Sequence, residues 1–348
     1  MSKKIIYVNG HDSIAVEPFD LRFKFPFRLA HGTRTHTSVV LLTLKSSGLE
    51  SFGEASLPPY LGVKTDGVIH FLRNLPWSQI LHSDLSTALD ITDASAQGMH
   101  AAKAAVDMAL HDLHARLKNL SLTDYLGTAA SSPIYTTFTL GMSQPEELLA
   151  KLAPAAPFKM IKLKLGGPDD LTALKDFRKV CDKQFCADVN QGWTNRDIAA
   201  HIAEALKAAG AVFIEQPFPA GSEEDMVWLR ERVDVPLILD ESVKRLADLK
   251  GIESICDGVN VKLMKSTGIR EALKMIDALR AKDLKVVLGA MAESSCGVTA
   301  AAHIAGLADW VDLDGPLLID NDPFRGITYD AGRVILPEGP GAGSERIV

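Results

Sequence analysis

The chain has 348 residues, 47% of them hydrophobic, with a formal net charge of −7 and a pI near 5.8. That is enough apolar material for one large domain with a smaller one beside it, and the acidic balance, with no long basic run, weighs against nucleic acid as a partner. No run of about 18 apolar residues predicts a membrane span, residues 1–10 have neither the apolar stretch nor the cleavage site of a signal peptide, and Cys181, Cys186, Cys256 and Cys296 lack CxxC spacing and read as reduced thiols of a cytoplasmic protein, not as a zinc site.

Up to about residue 90 the pattern differs from that of the rest of the chain. SVVLLTLKSSGLESFGEAS (38–56) predicts two strands around a Ser-Ser-Gly turn. GMHAAKAAVDMALHDLHARL (98–117) is Ala-rich with apolar residues at helical spacing and predicts a helix. From about residue 133 short apolar runs recur: 134–141, 159–166, 184–190, 211–217, 236–242, 258–264, 285–291 and 310–316. The stretches 196–210 and 268–284 between them have helical periodicity. Eight strands alternating with helical or connecting segments predict an α/β fold closed as a (β/α)8 TIM barrel. An open doubly wound sheet is the alternative, but neither GxGxxG nor GxxxxGK occurs.

In such a barrel the chemistry sits at the C-terminal ends of the strands. Lys162 and Lys164, two apart in MIKLKLGG, end the second strand and point to one side. Asp188, Glu215 and Asp240 end the third, fourth and fifth. One such carboxylate could simply cap a helix or bind a loop. Three at matched positions would repel one another unless a cation lay between them, and hard oxygen ligands suit Mg²⁺ better than zinc. Lys262 ends the sixth strand, across the mouth from Lys164. A lysine near other cations or poorly solvated has a lowered pKa and serves as a base; the plainer reading of each is a snorkelling surface lysine. Lys265 reads as a neighbouring loop charge. Asp312 and Asp314, two apart on the last strand, again face the mouth and suit a cationic group such as a free α-ammonium, or else a cap after the strand.

K-x-K, D-x-N, E-Q-P, D-E-S, N-x-K and D-x-D in this order resemble the muconate lactonizing subgroup of the enolase superfamily, and most closely its dipeptide epimerases of the L-Ala-D/L-Glu type. Lysine bases with Mg²⁺ are a known pairing of that superfamily. The resemblance implies an N-terminal α+β capping domain over about residues 1–125, completed by about 325–348, and a modified barrel over 126–324. It implies Asp188, Glu215 and Asp240 as Mg²⁺ ligands, with the metal holding the substrate carboxylate and lowering the cost of an enediolate. It implies Lys164 and Lys262 as acid/base for opposite enantiomers, with Lys162 supporting the carboxylate and depressing the Lys164 pKa. Asp312 and Asp314 would grip the dipeptide ammonium, Thr137 and Ala290 would touch substrate, and Glu293 would support the site. The implied partner is a small dipeptide; a homo-oligomer is left open.

Two departures bear on specificity. Relatives acting on L-Ala-D/L-Glu carry a capping-loop arginine where this chain has His31–Gly32, and Arg34 stands near enough to replace it. The next loop offers Pro58, Pro59, Tyr60 and Leu61, which suit an apolar side chain or a lid. A Thr also replaces a Gly in KSTGI. The function expected is therefore epimerisation of an acidic or apolar dipeptide at its C-terminal α-carbon by two-lysine 1,1-proton transfer. The alternatives within the superfamily are o-succinylbenzoate synthase, a cycloisomerase and an N-acylamino acid racemase, whose substrates lack the ammonium that D-x-D would hold. A non-catalytic metabolite-binding barrel is the alternative of another class, disfavoured by the retained acids and lysines.

Overall fold

The computed structural model describes residues 4–29, 32–143 and 145–347; His31 lies outside them. The N-terminal strands β1 (Lys4–Tyr7), β2 (Ser13–Leu29), β3 (Gly32–Ser46) and β4 (Leu49–Ser56) form an antiparallel sheet in chain order. The turn between β3 and β4 is Ser47–Gly48, both at positive φ (54° and 76°), as a tight two-residue hairpin requires. The run Val39–Leu42 is continuously apolar because both faces of the sheet are covered. Val40, Leu42 and Leu44 join the main core under the helices. Val39 and Leu41 pack with Leu21, Phe52 and Phe324 on the other side.

Helices α1 (Thr65–Asn74), α2 (Trp77–Leu81), α3 (Leu85–Ala94), α4 (His100–Leu117) and α5 (Leu122–Leu126) come next along the chain. The alanines of α4 allow close approach to β4, and a Cβ on Gly53 would stand 1.9 Å from the Ala105 carbonyl oxygen.

Every predicted barrel strand is present, shorter than its apolar run. They are β5 (Phe138–Leu140), β6 (Met160–Lys164), β7 (Gln184–Asp188), β8 (Ala211–Glu215), β9 (Leu237–Leu239), β10 (Gly258–Val261), β11 (Lys285–Gly289) and β12 (Trp310–Asp312). They pair in chain order, each parallel to its neighbours. The ring closes where Thr136 bridges Val311 and the Thr137 N–H donates to the Val311 carbonyl at 2.9 Å. The intervening helices are α6 (Pro145–Leu152), α7 (Asp170–Val180), α8 (Arg196–Ala208), α9 (Glu223–Arg230), α10 (Ile269–Arg280) and α11 (Ser295–Ala302), and α12 (Gly315–Leu318) follows β12. Between β9 and β10 two short 3-10 turns stand where a regular barrel has a helix. The chain then returns to its N-terminal part: Arg346 pairs with Glu17 at 2.6 Å, and the Leu122 N–H donates to the Gly341 carbonyl. The four cysteines are buried and unpaired, and no described helix is long and apolar enough to cross a membrane.

Asp107 of α4 caps α10, accepting from the N–H groups of Ile269 (2.6 Å) and Arg270 (3.3 Å), and so ties the two parts together. Gly268 leaves room for it, since a Cβ there would fall 2.3 Å from the Asp107 side chain. The preceding Thr267 sits at φ 61°, a conformation costly for a β-branched residue. Thr267→Gly is therefore expected to raise the unfolding free energy by about 1 kcal/mol without changing activity; denaturant titration checks it.

Candidate active site

The strand alternation sends Ile161 and Leu163 outward into the core under the helices and Lys162 and Lys164 inward. Both lysines are buried, as are Asp188, Glu215, Asp240 and Lys262. Asp188 and Glu215 are the last residues of β7 and β8, while Asp240 and Lys262 lie one residue beyond β9 and β10. The Lys162 ammonium is 2.9 Å from Asp188, 2.9 Å from Glu215 and 2.7 Å from Asp312. Lys164 donates to Asp188 at 2.6 Å and to Asn190 Oδ1 at 3.1 Å. Lys262 and Lys265 take different oxygens of the Asp240 carboxylate, Lys262 at 2.7 Å.

Lys265 is not the loop charge that its sequence position suggests. It is buried, donating to the Asp240 carboxylate (2.6 Å), the Asp240 carbonyl (2.5 Å) and the Asn260 carbonyl (2.8 Å). The one-turn descent after β10 swings it under Asp240, where its cost of burial is offset by three acceptors.

The expected lowering of a base pKa is not what Lys262 shows. Burial works in that direction, but Asp240 at 2.7 Å outweighs it and holds the ammonium well above its ordinary range. Against burial, Lys162 and Lys164 likewise keep Asp188 ionised, and Lys262 and Lys265 keep Asp240 ionised. Glu215 is the exception: burial and then the Asp188 charge push it up to about 8. Its Oε2 accepts no hydrogen bond although Lys162 is 2.9 Å away.

Among the described residues no three His, Cys, Asp or Glu side chains are already drawn together for ion capture. The donor chemistry nevertheless fits a hard divalent cation. Asp188, Glu215 and Asp240 offer only oxygen from three consecutive strands, and the raised Glu215 with its unbonded oxygen is the carboxylate that such a charge would relieve.

Motif partners fix these groups. The Gln216 amide oxygen accepts from the N–H groups of Asp240 (2.8 Å) and Ser242 (3.2 Å), setting the end of β9. Asn260 donates to Glu215 at 2.8 Å. Asn190, Gln191 and Gln216 have φ of 45°, 67° and 38°, so the chain leaves β7 and β8 through left-handed backbone.

One pocket, partly open to solvent, collects Lys162, Lys164, Asp240, Lys262, Ala290, Asp312, Asp314 and, from the N-terminal sheet, Arg34. Thr137 does not line it. Its hydroxyl donates to Asp312 at 2.6 Å, and Thr139, two residues on and on the same strand face, reaches the pocket instead. Thr139 also holds Asp314 through its N–H (2.5 Å) and hydroxyl (3.2 Å). Burial and then Asp312 still push Asp314 up to about 7. Arg34 Nη1 is buried without a hydrogen-bond partner among the described residues. Glu293 accepts from the Met291 N–H at 2.7 Å and so supports the wall Ala290–Ala292, while the Tyr60 hydroxyl meets Met291 Sδ at 2.8 Å. Sequence reasoning missed Thr139, Asn190 and Glu241 as lining residues, although the last two stand inside the D-x-N and D-E-S motifs.

Residues 13–127 match the family model described as mandelate racemase / muconate lactonizing enzyme, N-terminal domain, and 144–346 match the enolase C-terminal domain-like model. An L-Ala-D/L-Glu epimerase of Bacteroides thetaiotaomicron is 36% identical over 98% of this chain and 89% of its own. An L-Ala-D/L-amino acid epimerase of Pedosphaera parvula is 31% identical over 93% of this chain and 95% of its own. In structure, a dipeptide epimerase of Cytophaga hutchinsonii complexed with Mg and D-Ala-L-Val superposes with a TM-score of 0.90, at 28% identity, over 97% of this chain and 96% of that one.

Proposed function

We propose, for a chain that belongs to the mandelate racemase / muconate lactonizing enzyme family of the enolase superfamily, that it is a Mg²⁺-dependent dipeptide epimerase inverting the α-carbon of the C-terminal residue. One observation carries this reading: a single pocket is walled by lysines from β6 and β10, four strands apart in a ring of eight, and also holds a pair of carboxylates. In this reading Lys164 takes the α-proton from one enantiomer while Lys262 returns one to the opposite face, and the roles reverse for the other enantiomer. Lys162 supports the substrate carboxylate. Asp188, Glu215 and Asp240 hold Mg²⁺, which when bound supplies positive charge to that carboxylate as the proton leaves. The dipeptide ammonium goes to Asp312 and Asp314, where it supplies the countercharge that the raised Asp314 lacks.

The test is mass spectrometry of a dipeptide library incubated with protein and Mg²⁺ in D₂O. One deuterium at the C-terminal α-carbon, with exchange blocked by EDTA, is the expected result. No exchange in any dipeptide, with turnover of succinyl-cyclohexene carboxylates, would replace this reading by the lyase one.

Arg34 bears on the choice between acidic and apolar second residues. The Arg34 guanidinium lies 5.8 Å from the Phe23 ring centre, and its buried Nη1, with no hydrogen-bond partner among the described residues, is best satisfied by a carboxylate. Arg34→Ala is expected to lower kcat/KM for L-Ala-L-Glu by about 10²-fold and to change L-Ala-L-Leu by less than about threefold, since removing a charged partner costs roughly 2–5 kcal/mol. Equal losses on both would favour the apolar reading, with the Pro58–Leu61 loop as its determinant.

A further inference from the structure

Beside the pocket lies a second, apolar chamber of about 580 Å³ including its mouth, lined chiefly by Phe23, Phe27, Phe138, Leu317 and Leu318. It exists because β2 leaves β3. The pairing jumps from Arg22↔His36 to Phe27↔Arg34, so Phe23, Lys24, Phe25 and Pro26 run out of register with their partner strand. Pro26 has no N–H to give to a ladder. Phe23 instead bridges Ile319, and Lys24 donates to the Leu317 carbonyl at 2.8 Å, which fixes the excursion over α12. Phe23 and Phe27 stack at 5.3 Å along its wall.

Three residues belong to both cavities: Phe27, Thr139 and Leu318. Thr139 is also the residue whose N–H and hydroxyl hold Asp314. The chamber therefore begins where the ammonium of a bound dipeptide is expected to end. The ammonium and the side chain of an N-terminal residue leave the same carbon, so a residue anchored at Asp312 and Asp314 has its side chain at this shared wall.

We propose that the chamber receives the side chain of the N-terminal residue, making the protein selective for dipeptides with a large apolar first residue. This rests on the epimerase reading of the pocket. The chamber holds no unpaired buried charge among its described residues: Lys24 is tied to Leu317, and Lys151 to Glu147 and Ser143. Burial of an aliphatic or aromatic group there displaces water from apolar walls without stranding a polar one.

The experiment compares kcat/KM for three dipeptides that share the C-terminal residue preferred in the exchange screen and begin with Ala, Leu or Phe. Leu-first and Phe-first substrates are expected to exceed the Ala-first one by about tenfold or more. Leu317→Trp, which fills the chamber from α12, should erase that advantage. Phe25→Ala, at a half-exposed ring of the rim, should reduce the advantage. A wild-type preference for Ala, or equal loss on all three substrates in Leu317→Trp, overturns the proposal while leaving epimerisation intact. Absence of exchange in every dipeptide overturns the epimerase reading and this proposal with it.

Discussion

Lys164→Ala is expected to abolish α-proton exchange from one enantiomer of the C-terminal residue while sparing much of the exchange from the other, and Lys262→Ala to do the reverse. Net epimerisation falls in both, because each inversion needs one lysine to take a proton and the other to give one. Exchange with solvent needs only the lysine facing the proton that leaves. The expected loss on the affected enantiomer is about 10²- to 10⁴-fold, the usual worth of a positioned acid or base. Single-enantiomer exchange in D₂O, followed by mass spectrometry, separates the two. If either variant lost both exchanges equally, or neither, the two-base assignment would fail. Neither truncation strands its carboxylate, since Asp188 keeps Lys162 and Asp240 keeps Lys265, so a folding defect is not expected to mask the result.

Lys265→Met should cost about 1–3 kcal/mol of stability, the range for leaving buried acceptors without their donor, since Asp240 keeps its ion pair with Lys262 at 2.7 Å. Its buried ammonium answers one Asp240 carboxylate oxygen and two backbone carbonyls, and the Met side chain can donate to none of them. Because Asp240 is also a proposed Mg²⁺ ligand, the variant should weaken Mg²⁺ activation, raising the concentration needed for half-maximal exchange more than it changes KM for the dipeptide. Denaturant titration and Mg²⁺ titration of exchange check the two effects. A stability loss with an unchanged Mg²⁺ response would make Lys265 structural only. The double-mutant cycle with Asp240→Asn should show a coupling above about 1 kcal/mol.

The sequence position of Lys265 conceals its role. Lys262 and Lys265 are three apart, and nothing in NVKLMKS says that the chain turns sharply enough after β10 to bury the second ammonium against Asp240. Thr137 departs from expectation differently: it lies one residue before β5, its hydroxyl is taken by Asp312, and Thr139 lines the pocket. Arg34 is legible as a residue type near the right place, yet only the pairing of Phe27 with Arg34 across β2 and β3 brings it to the pocket.

The alternation of eight strands with helices is legible in the residues alone, since each strand buried on both faces must read as a short apolar run. So is the inward pair Lys162 and Lys164, because period-two geometry puts both on one side, and so are the acids at the ends of consecutive strands. Folding in three dimensions settles which groups neutralise one another, where Lys162 and Lys265 sit among the carboxylates, and that one oxygen of Glu215 is left without a hydrogen bond. It also sets the size and lining of the apolar chamber, which arises where a strand leaves its partner. Strand periodicity is a local property written every second residue, whereas charge balance and cavity shape depend on distances between segments far apart in the chain, which no local pattern encodes.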